Sequence, residues 1–72
     1  MMPTIENVLA ERDRAALAKT KDFRLLIKAK KDIYEYTICF WFDGTFYRDE
    51  QYDDTPLRCY ARAIVFLLEV TK

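Results

Sequence analysis

The sequence predicts a small α+β domain with the element order α-β-β-β-α, in which a three-stranded antiparallel meander carries two helices on one face. The run from Ile33 to Arg48 is aromatic and β-branched, alternates with period two, and contains an Asp43-Gly44 pair, a pattern typical of a hairpin. A further alternating segment precedes this run, and helical patterns flank both. A chain of 72 residues has room for one small core, so residues 1–72 are expected to form a single domain.

The N-terminal pattern predicts a helix from Thr4 to about Lys19. Thr4 is a suitable N-cap, and Glu6 lies in the first turn, where the helix dipole favours an acid. Apolar residues recur there at helical spacing, namely Ile5, Val8, Leu9, Ala15 and Ala16. The sequence Thr20-Lys21-Asp22 is expected to end this helix.

Two alternating segments predict the first two strands. The first has an apolar face of Phe23, Leu25, Ile27 and Ala29. Its other face carries Arg24, Leu26, Lys28 and Lys30, and the chain turns at Lys30-Lys31-Asp32. In the second strand the expected core face is Tyr34, Tyr36, Ile38, Phe40 and Phe42. The outer face then consists of Glu35, Thr37, Cys39 and Trp41.

The register of the hairpin has two solutions. A two-residue loop at Asp43-Gly44 pairs Trp41 with Phe46 on the outer face. A three-residue loop that includes Phe42 pairs Phe40 with Phe46, which buries Phe46 and leaves Tyr47 outside. We expect the second solution, because it buries more aromatic area.

The third strand is expected to fray through residues 48–54, after which Thr55 caps a helix that runs from Pro56 to about Val70. This helix has two apolar stripes. One, expected to face the sheet, consists of Leu57, Tyr60, Ala61, Ile64, Leu67 and Leu68. The other consists of Cys59, Ala63, Phe66 and Val70. Because a surface helix normally has one apolar stripe, the second meets either the first helix or another chain, and we predict a homodimer with Phe66 near its centre.

The residue content excludes most chemistry. The chain has no histidine and no serine, and its single glycine cannot build a phosphate-binding loop. Cys39 and Cys59 lack the spacing of a zinc site, and the acidic residues at 49–54 lack that of a calcium loop. The sequence therefore predicts no enzymatic activity, no metal site and no cofactor.

Composition indicates a globular protein in a reducing compartment. Two cysteines are too few for a disulfide framework, and neither a secretory segment nor an apolar stretch long enough for a bilayer is evident. We therefore expect a soluble, cytoplasmic protein. The net charge is zero, but basic residues concentrate between positions 12 and 31 and acidic ones between 32 and 54. Such polarity favours oriented encounter with a charged partner or head-to-tail self-association, unless folding brings the two halves together.

The order of elements from Thr4 to Val70 resembles the double-stranded-RNA-binding domain, including an Asp-Gly turn in the second hairpin. The resemblance implies this α-β-β-β-α layout. That family holds RNA with a Gly-Pro-x-His loop after its first strand and a lysine pair that opens its last helix. Here the loop is Lys30-Lys31-Asp32, and the helix opens with Thr55-Pro56-Leu57-Arg58 after two acids, so the RNA-contacting motifs are missing.

These observations lead to two functional hypotheses. The first is a non-catalytic protein-interaction module, such as a small inhibitor or adaptor encoded by a phage or mobile element that binds a host or defence protein. Its expected partner-binding residues are Arg24, Lys28, Lys30, Cys39, Trp41 and Tyr47. The alternative is nucleic-acid binding, in which Arg24, Lys28 and Lys30 contact phosphates and Trp41 stacks on a base.

Overall fold

The computed structural model describes residues 11–72 and confirms the predicted α-β-β-β-α order. Its elements are helix α1 (Glu11–Ala18), strands β1 (Lys21–Ala29), β2 (Tyr34–Phe42) and β3 (Thr45–Asp53), and helix α2 (Pro56–Val70). The strands form one antiparallel sheet in the order β1-β2-β3. The part of the predicted first helix that precedes Glu11, with its Thr4 cap, lies outside the described residues.

The core lies between the central strand β2 and helix α2. Tyr36, Ile38 and Phe40 alternate along β2 and have almost no exposed surface, as the period-two pattern predicts. From the helix, Cys59 and Ala63 pack on this row and are fully buried. Helix α1 contributes the buried residue Ala16 to the same cluster and packs against α2, so both helices serve one face of the sheet.

Helix α2 begins as the sequence predicts. Thr55 has an extended backbone, and its hydroxyl accepts a hydrogen bond from the backbone N–H of Arg58 at 3.1 Å. Pro56 occupies the first turn, where its missing N–H costs nothing. The end of β3 is joined to the helix by an ion pair of 2.6 Å between Asp53 Oδ2 and Arg62 Nε.

The hairpin takes the register that we did not expect. Trp41 pairs with Phe46 and Phe42 with Thr45, so Asp43-Gly44 is a two-residue loop and the prediction of a three-residue loop is wrong. Both loop residues have positive φ, 51° at Asp43 and 78° at Gly44, as in a type I′ turn, whose twist matches that of the strands. Phe46 therefore lies outside and Tyr47 lies inside, stacked on Phe40 at 5.8 Å.

Strand β3 does not fray at Arg48, contrary to the prediction. It pairs with β2 over its whole length, up to the pair between Tyr34 and Asp53. Its acidic side chains are compatible with a strand because they alternate between two environments. Glu50 pairs with Arg48 at 2.8 Å on the outer face, whereas Asp53 meets the arginines of α2 on the inner face.

Residues of both stripes of α2 are buried within this chain. From the stripe predicted to face the sheet, Ile64 and Leu67 lie in the core as expected. Cys59 and Ala63, predicted to lie in a dimer interface, are fully buried within this chain, and Val70 is half-buried. Phe66 packs against Phe40, with ring centroids 5.8 Å apart. Leu57, predicted to face the sheet, is instead 76% exposed. The predicted dimer stripe thus packs largely within this chain, with Phe66 and Val70 half-buried, and homodimerisation itself stays a prediction.

We predict that Phe66→Ala lowers the free energy of unfolding by about 3 kcal/mol, the low end of the range for aromatic core truncations, because the ring is only half-buried. Urea unfolding followed by circular dichroism measures this loss. Val65→Ala is the control, since this neighbour is exposed and its truncation should change stability by less than about 0.5 kcal/mol. Equal, small effects of both changes would contradict the packing of Phe66 inside its own chain.

A second prediction concerns acid unfolding. The backbone N–H of Asp54 and then the Arg62 guanidinium lower the pKa of Asp53 below its ordinary value of 3.8. A carboxyl with a lowered folded-state pKa stabilises the fold above its ordinary pKa and loses that contribution as the pH falls through the folded-state value. We therefore expect Asp53→Asn to lose less stability than the wild type between neutral pH and about pH 3.

The measurement for Asp53→Asn is urea unfolding at both pH values. Asp32→Asn is the control, because this exposed carboxyl forms no ion pair within residues 11–72. An acid-induced loss that is the same in the wild type and in Asp53→Asn would show that the carboxyl contributes nothing to the pH dependence.

Candidate functional site

The face of the sheet opposite the helices is the candidate functional site, and we call it the open face. Within residues 11–72 no other element packs on it. The strand registers align its side chains in four rows across the sheet, which are Lys21–Trp41–Phe46, Arg24–Cys39–Arg48, Leu26–Thr37–Glu50 and Lys28–Glu35–Tyr52. The open face therefore combines apolar and aromatic side chains with basic ones over all three strands.

The open face exposes much of the apolar surface of the described residues. Residues 11–72 contain six exposed large apolar side chains, and four of them lie on the open face, namely Leu26, Trp41, Phe46 and Tyr52. Single exposed apolar residues are normal on a monomer, but a concentration of them on one face marks an interaction site. The distribution of exposed apolar residues thus favours the open face over the helical layer.

Trp41 and Phe46 form the aromatic end of the open face. They are direct cross-strand partners, with ring centroids 5.2 Å apart and a tilt of 53°. Trp41 remains 43% exposed and Phe46 47%, so the pair offers a rigid apolar surface while each ring supports the other. Lys21 lies opposite Trp41 in the register and shares a shallow depression with the indole.

The basic residues of β1 give the open face its charge. Within residues 11–72, Lys21, Arg24 and Lys28 form no ion pair. The acidic residues of the face are engaged, since Glu50 pairs with Arg48 at 2.8 Å and Glu35 lies 4.0 Å from Lys30 Nζ. The β1 side of the open face can therefore offer cations to a partner.

Glu35 also interacts with its cross-strand neighbour Tyr52. Hydrogen bonding to the Glu35 carboxylate, followed by the negative charge of that group, raises the pKa of the Tyr52 hydroxyl. Cys39 lies half-buried between Arg24 and Arg48 and is a free thiol. Beyond its aromatic end, the open face therefore mixes polar side chains with the exposed Leu26 and Tyr52.

Most of the predicted partner-binding residues come together on the open face. Arg24, Lys28, Cys39 and Trp41 lie within its rows, and Lys30 lies just past the end of β1. Tyr47 does not, because the two-residue turn places it on the inner face, stacked on Phe40. Sequence reasoning missed Phe46, although the Asp43-Gly44 pair itself favours the turn that exposes it.

The described residues form a two-layer α+β domain in which no element of residues 11–72 covers one face of the sheet. Comparison with protein-family models, with curated proteins and with solved structures gives no match for this chain. No helix among residues 11–72 has the length and apolar character needed to span a bilayer. In the same part of the chain, no three acidic or cysteine side chains lie close enough together to hold a metal ion.

We predict that Trp41→Ala lowers the free energy of unfolding by about 1 kcal/mol, because Trp41 contributes mainly a cross-strand aromatic pair on an exposed face. The matched comparison is Phe40→Ala one position away, where truncating a fully buried ring should cost about 3–5 kcal/mol. Urea unfolding compares the two variants. A loss from Trp41→Ala as large as that from Phe40→Ala would assign the indole to the core and remove it from the site.

Proposed function

We propose that this chain is a non-catalytic protein-interaction module that binds a partner protein through the open face of its sheet. The observation that carries the proposal is the exposed Trp41–Phe46 pair beside the β1 cations Lys21, Arg24 and Lys28, which form no ion pair in the described part of the chain. Tryptophan and arginine are among the commonest residues whose truncation abolishes protein binding, and they act from well-packed, apolar centres of interfaces. Trp41 and Phe46 supply such a centre, and Arg24 lies beside it.

The extent of the open face supports this role. Its four rows cross all three nine-residue strands, so it presents a continuous surface about 30 Å long, at roughly 3.4 Å per residue. Inhibitors and adaptors act by covering a partner's surface, and they need no chemistry of their own. We therefore propose the role of inhibitor or adaptor for this domain.

The partner surface should be acidic around an apolar centre. Lys21, Arg24 and Lys28 line one side of the open face and form no ion pair among the residues from 11 to 72, so carboxylates of a partner can pair with them. Leu26, 53% exposed in the middle of the face, requires an apolar counterpart. A mixed apolar and acidic protein surface meets both requirements.

A second candidate function, nucleic-acid binding, is favoured by one observation on the same face. An exposed indole with Lys21 opposite it and Arg24 in the next row can stack on a base while the cations contact phosphates. Glu35 and Glu50 lie on the same face and engage Lys30 and Arg48, which leaves fewer cations for phosphate, and protein binding is therefore our first proposal.

Affinity capture from the cells that make this protein tests the first proposal. We expect Trp41→Ala to weaken binding to a captured partner by about thirtyfold or more, since truncating a central interface residue costs roughly 2 kcal/mol or more. The control is Leu57→Ala, which removes the most exposed apolar side chain of the helical layer and should leave binding unchanged. Equal affinity of the wild type and Trp41→Ala for every partner would refute binding through the open face.

The same variants separate protein from nucleic acid. We expect single- and double-stranded oligonucleotides to bind no more tightly than non-specific complexes, at about 10⁻⁴ to 10⁻⁶ M. Fluorescence anisotropy at low and at physiological salt measures this affinity. A nanomolar complex that weakens steeply with salt and is lost in Trp41→Ala would transfer the function to nucleic-acid binding.

A further inference from the structure

Strand β3 is an edge of the sheet on the side that faces away from β1. It lies last in the order β1-β2-β3, and no other strand within residues 11–72 pairs with it. The two-residue turn makes Phe42 and Thr45 the closing hydrogen-bonded pair of the hairpin. In an antiparallel pair every second residue bonds to the neighbouring strand, so the backbone groups of the alternate β3 residues from Phe46 to Tyr52 point to the free edge. These outward N–H and C=O groups can accept another strand.

A groove runs beside this edge, between β3 and α2 on the helical side of the sheet. It has a volume of about 450 Å³. Its apolar part includes Tyr36, Val65 and Phe66, and its polar part includes Asp49, Arg62 and Glu69. The groove is separate from the open face, because Asp49 pairs with the buried residue Ile38 and so belongs to the inner side of β3.

The charged side chains that line the groove differ in their partners. Arg62 is held by Asp53 at 2.6 Å, so its charge is already compensated. Asp49 and Glu69 also line the groove, and neither forms an ion pair within residues 11–72. Burial, followed by the negative charge of Asp49, raises the pKa of the Tyr36 hydroxyl that lies beside them. Gln51 Nε2 donates a hydrogen bond to Asp49 Oδ1 at 3.4 Å. The groove therefore combines an apolar wall with two carboxylates that have no basic partner within residues 11–72.

We propose that this groove binds an extended segment of a partner protein, which adds to β3 as a fourth strand and places a lysine or arginine side chain beside Asp49 and Glu69. Backbone hydrogen bonds to the edge supply affinity, and the side chains that enter the groove supply specificity. Inward-pointing charges on an edge strand also discourage pairing with apolar strands, so Asp49 selects for a segment with a basic residue. This site is independent of the open face and goes beyond the function proposed above.

The test is a titration of the ¹⁵N-labelled full chain with a capped valine- and threonine-rich peptide of about six residues that has a central arginine. We expect amide shifts at Arg48 and Glu50, whose backbone groups point to the free edge, and at groove residues of α2 such as Val65. The same peptide with a central glutamate should bind at least about threefold more weakly, a difference of about 0.65 kcal/mol, because repulsion from the carboxylates replaces attraction to them.

Variants identify the carboxylates. Asp49→Asn and Glu69→Gln should each weaken binding of the arginine peptide about threefold and reduce its preference over the glutamate peptide. Glu50→Gln is the matched control, because this neighbouring acid lies on the opposite side of β3 and is already paired with Arg48. Trp41→Ala should bind the peptide as the wild type does, which separates this site from the open face.

Three results would overturn the proposal. The first is an absence of amide shifts at millimolar concentrations of the arginine peptide. Asp49 would then serve only to prevent other strands from pairing with the edge. The second is equal binding of the two peptides. The third is a set of shifts confined to the open face around Trp41 and Phe46, which would assign the peptide to the other site.

Discussion

The close packing of helix α2 on the central strand is the contact on which the rest of this structure depends. Ala63 and Cys59 are small, so the helix approaches the row of Tyr36, Ile38 and Phe40 until all of them are almost fully buried. The Cys59 thiol lies 3.8 Å from the carbonyl oxygen of Tyr34, which shows how near the two backbones are. Burial of large side chains such as Ile38 and Phe40 is worth roughly 1.5–3 kcal/mol each. A short domain therefore concentrates its stability in one layer of contact.

This single contact layer also determines which surfaces remain for function. Both helices serve one side of the sheet, and the side chains of the opposite face, Trp41 and Phe46 among them, have no counterpart within residues 11–72. The aromatic residues Phe23, Tyr47 and Phe66 surround Phe40 at centroid distances of 5.8 to 6.2 Å and complete that end of the core. Phe46 is not needed there, and the hairpin places it outside beside Trp41. The packing of both helices on one side of the sheet therefore forms the core and leaves the open face exposed.

The charged side chains are also distributed between the two sides of the sheet. The cations Lys21, Arg24 and Lys28 lie along β1 on the open face, whereas Asp49 lies on the inner side of β3 beside the helix. Arg62 compensates only the end of β3, at Asp53, and so fixes the start of α2 against the sheet. The charge asymmetry along the sequence therefore becomes a basic face at one edge and an acidic groove at the other. Each of the two binding proposals rests on one of these surfaces.

The sequence by itself determined the fold class, the bounds of α2 and the inward and outward faces of β2, because these depend on local periodicity, capping and turn chemistry at Thr55 and Asp43-Gly44. It also identified Arg24, Lys28, Cys39 and Trp41 as neighbours on one face, since alternation alone places them there. The Asp43-Gly44 pair also favours the observed hairpin register, and the expectation of greater aromatic burial was wrong because Phe23, Tyr47 and Phe66 already surround Phe40. Only the tertiary structure decided which residues of α2 meet the sheet. Small Ala63 and Cys59 fit against β2 together with Ile64 and Leu67, whereas Leu57 is left in solvent. The apolar pattern of a sequence indicates which residues can be buried, but it does not show which apolar side chains of a helix fit against the sheet.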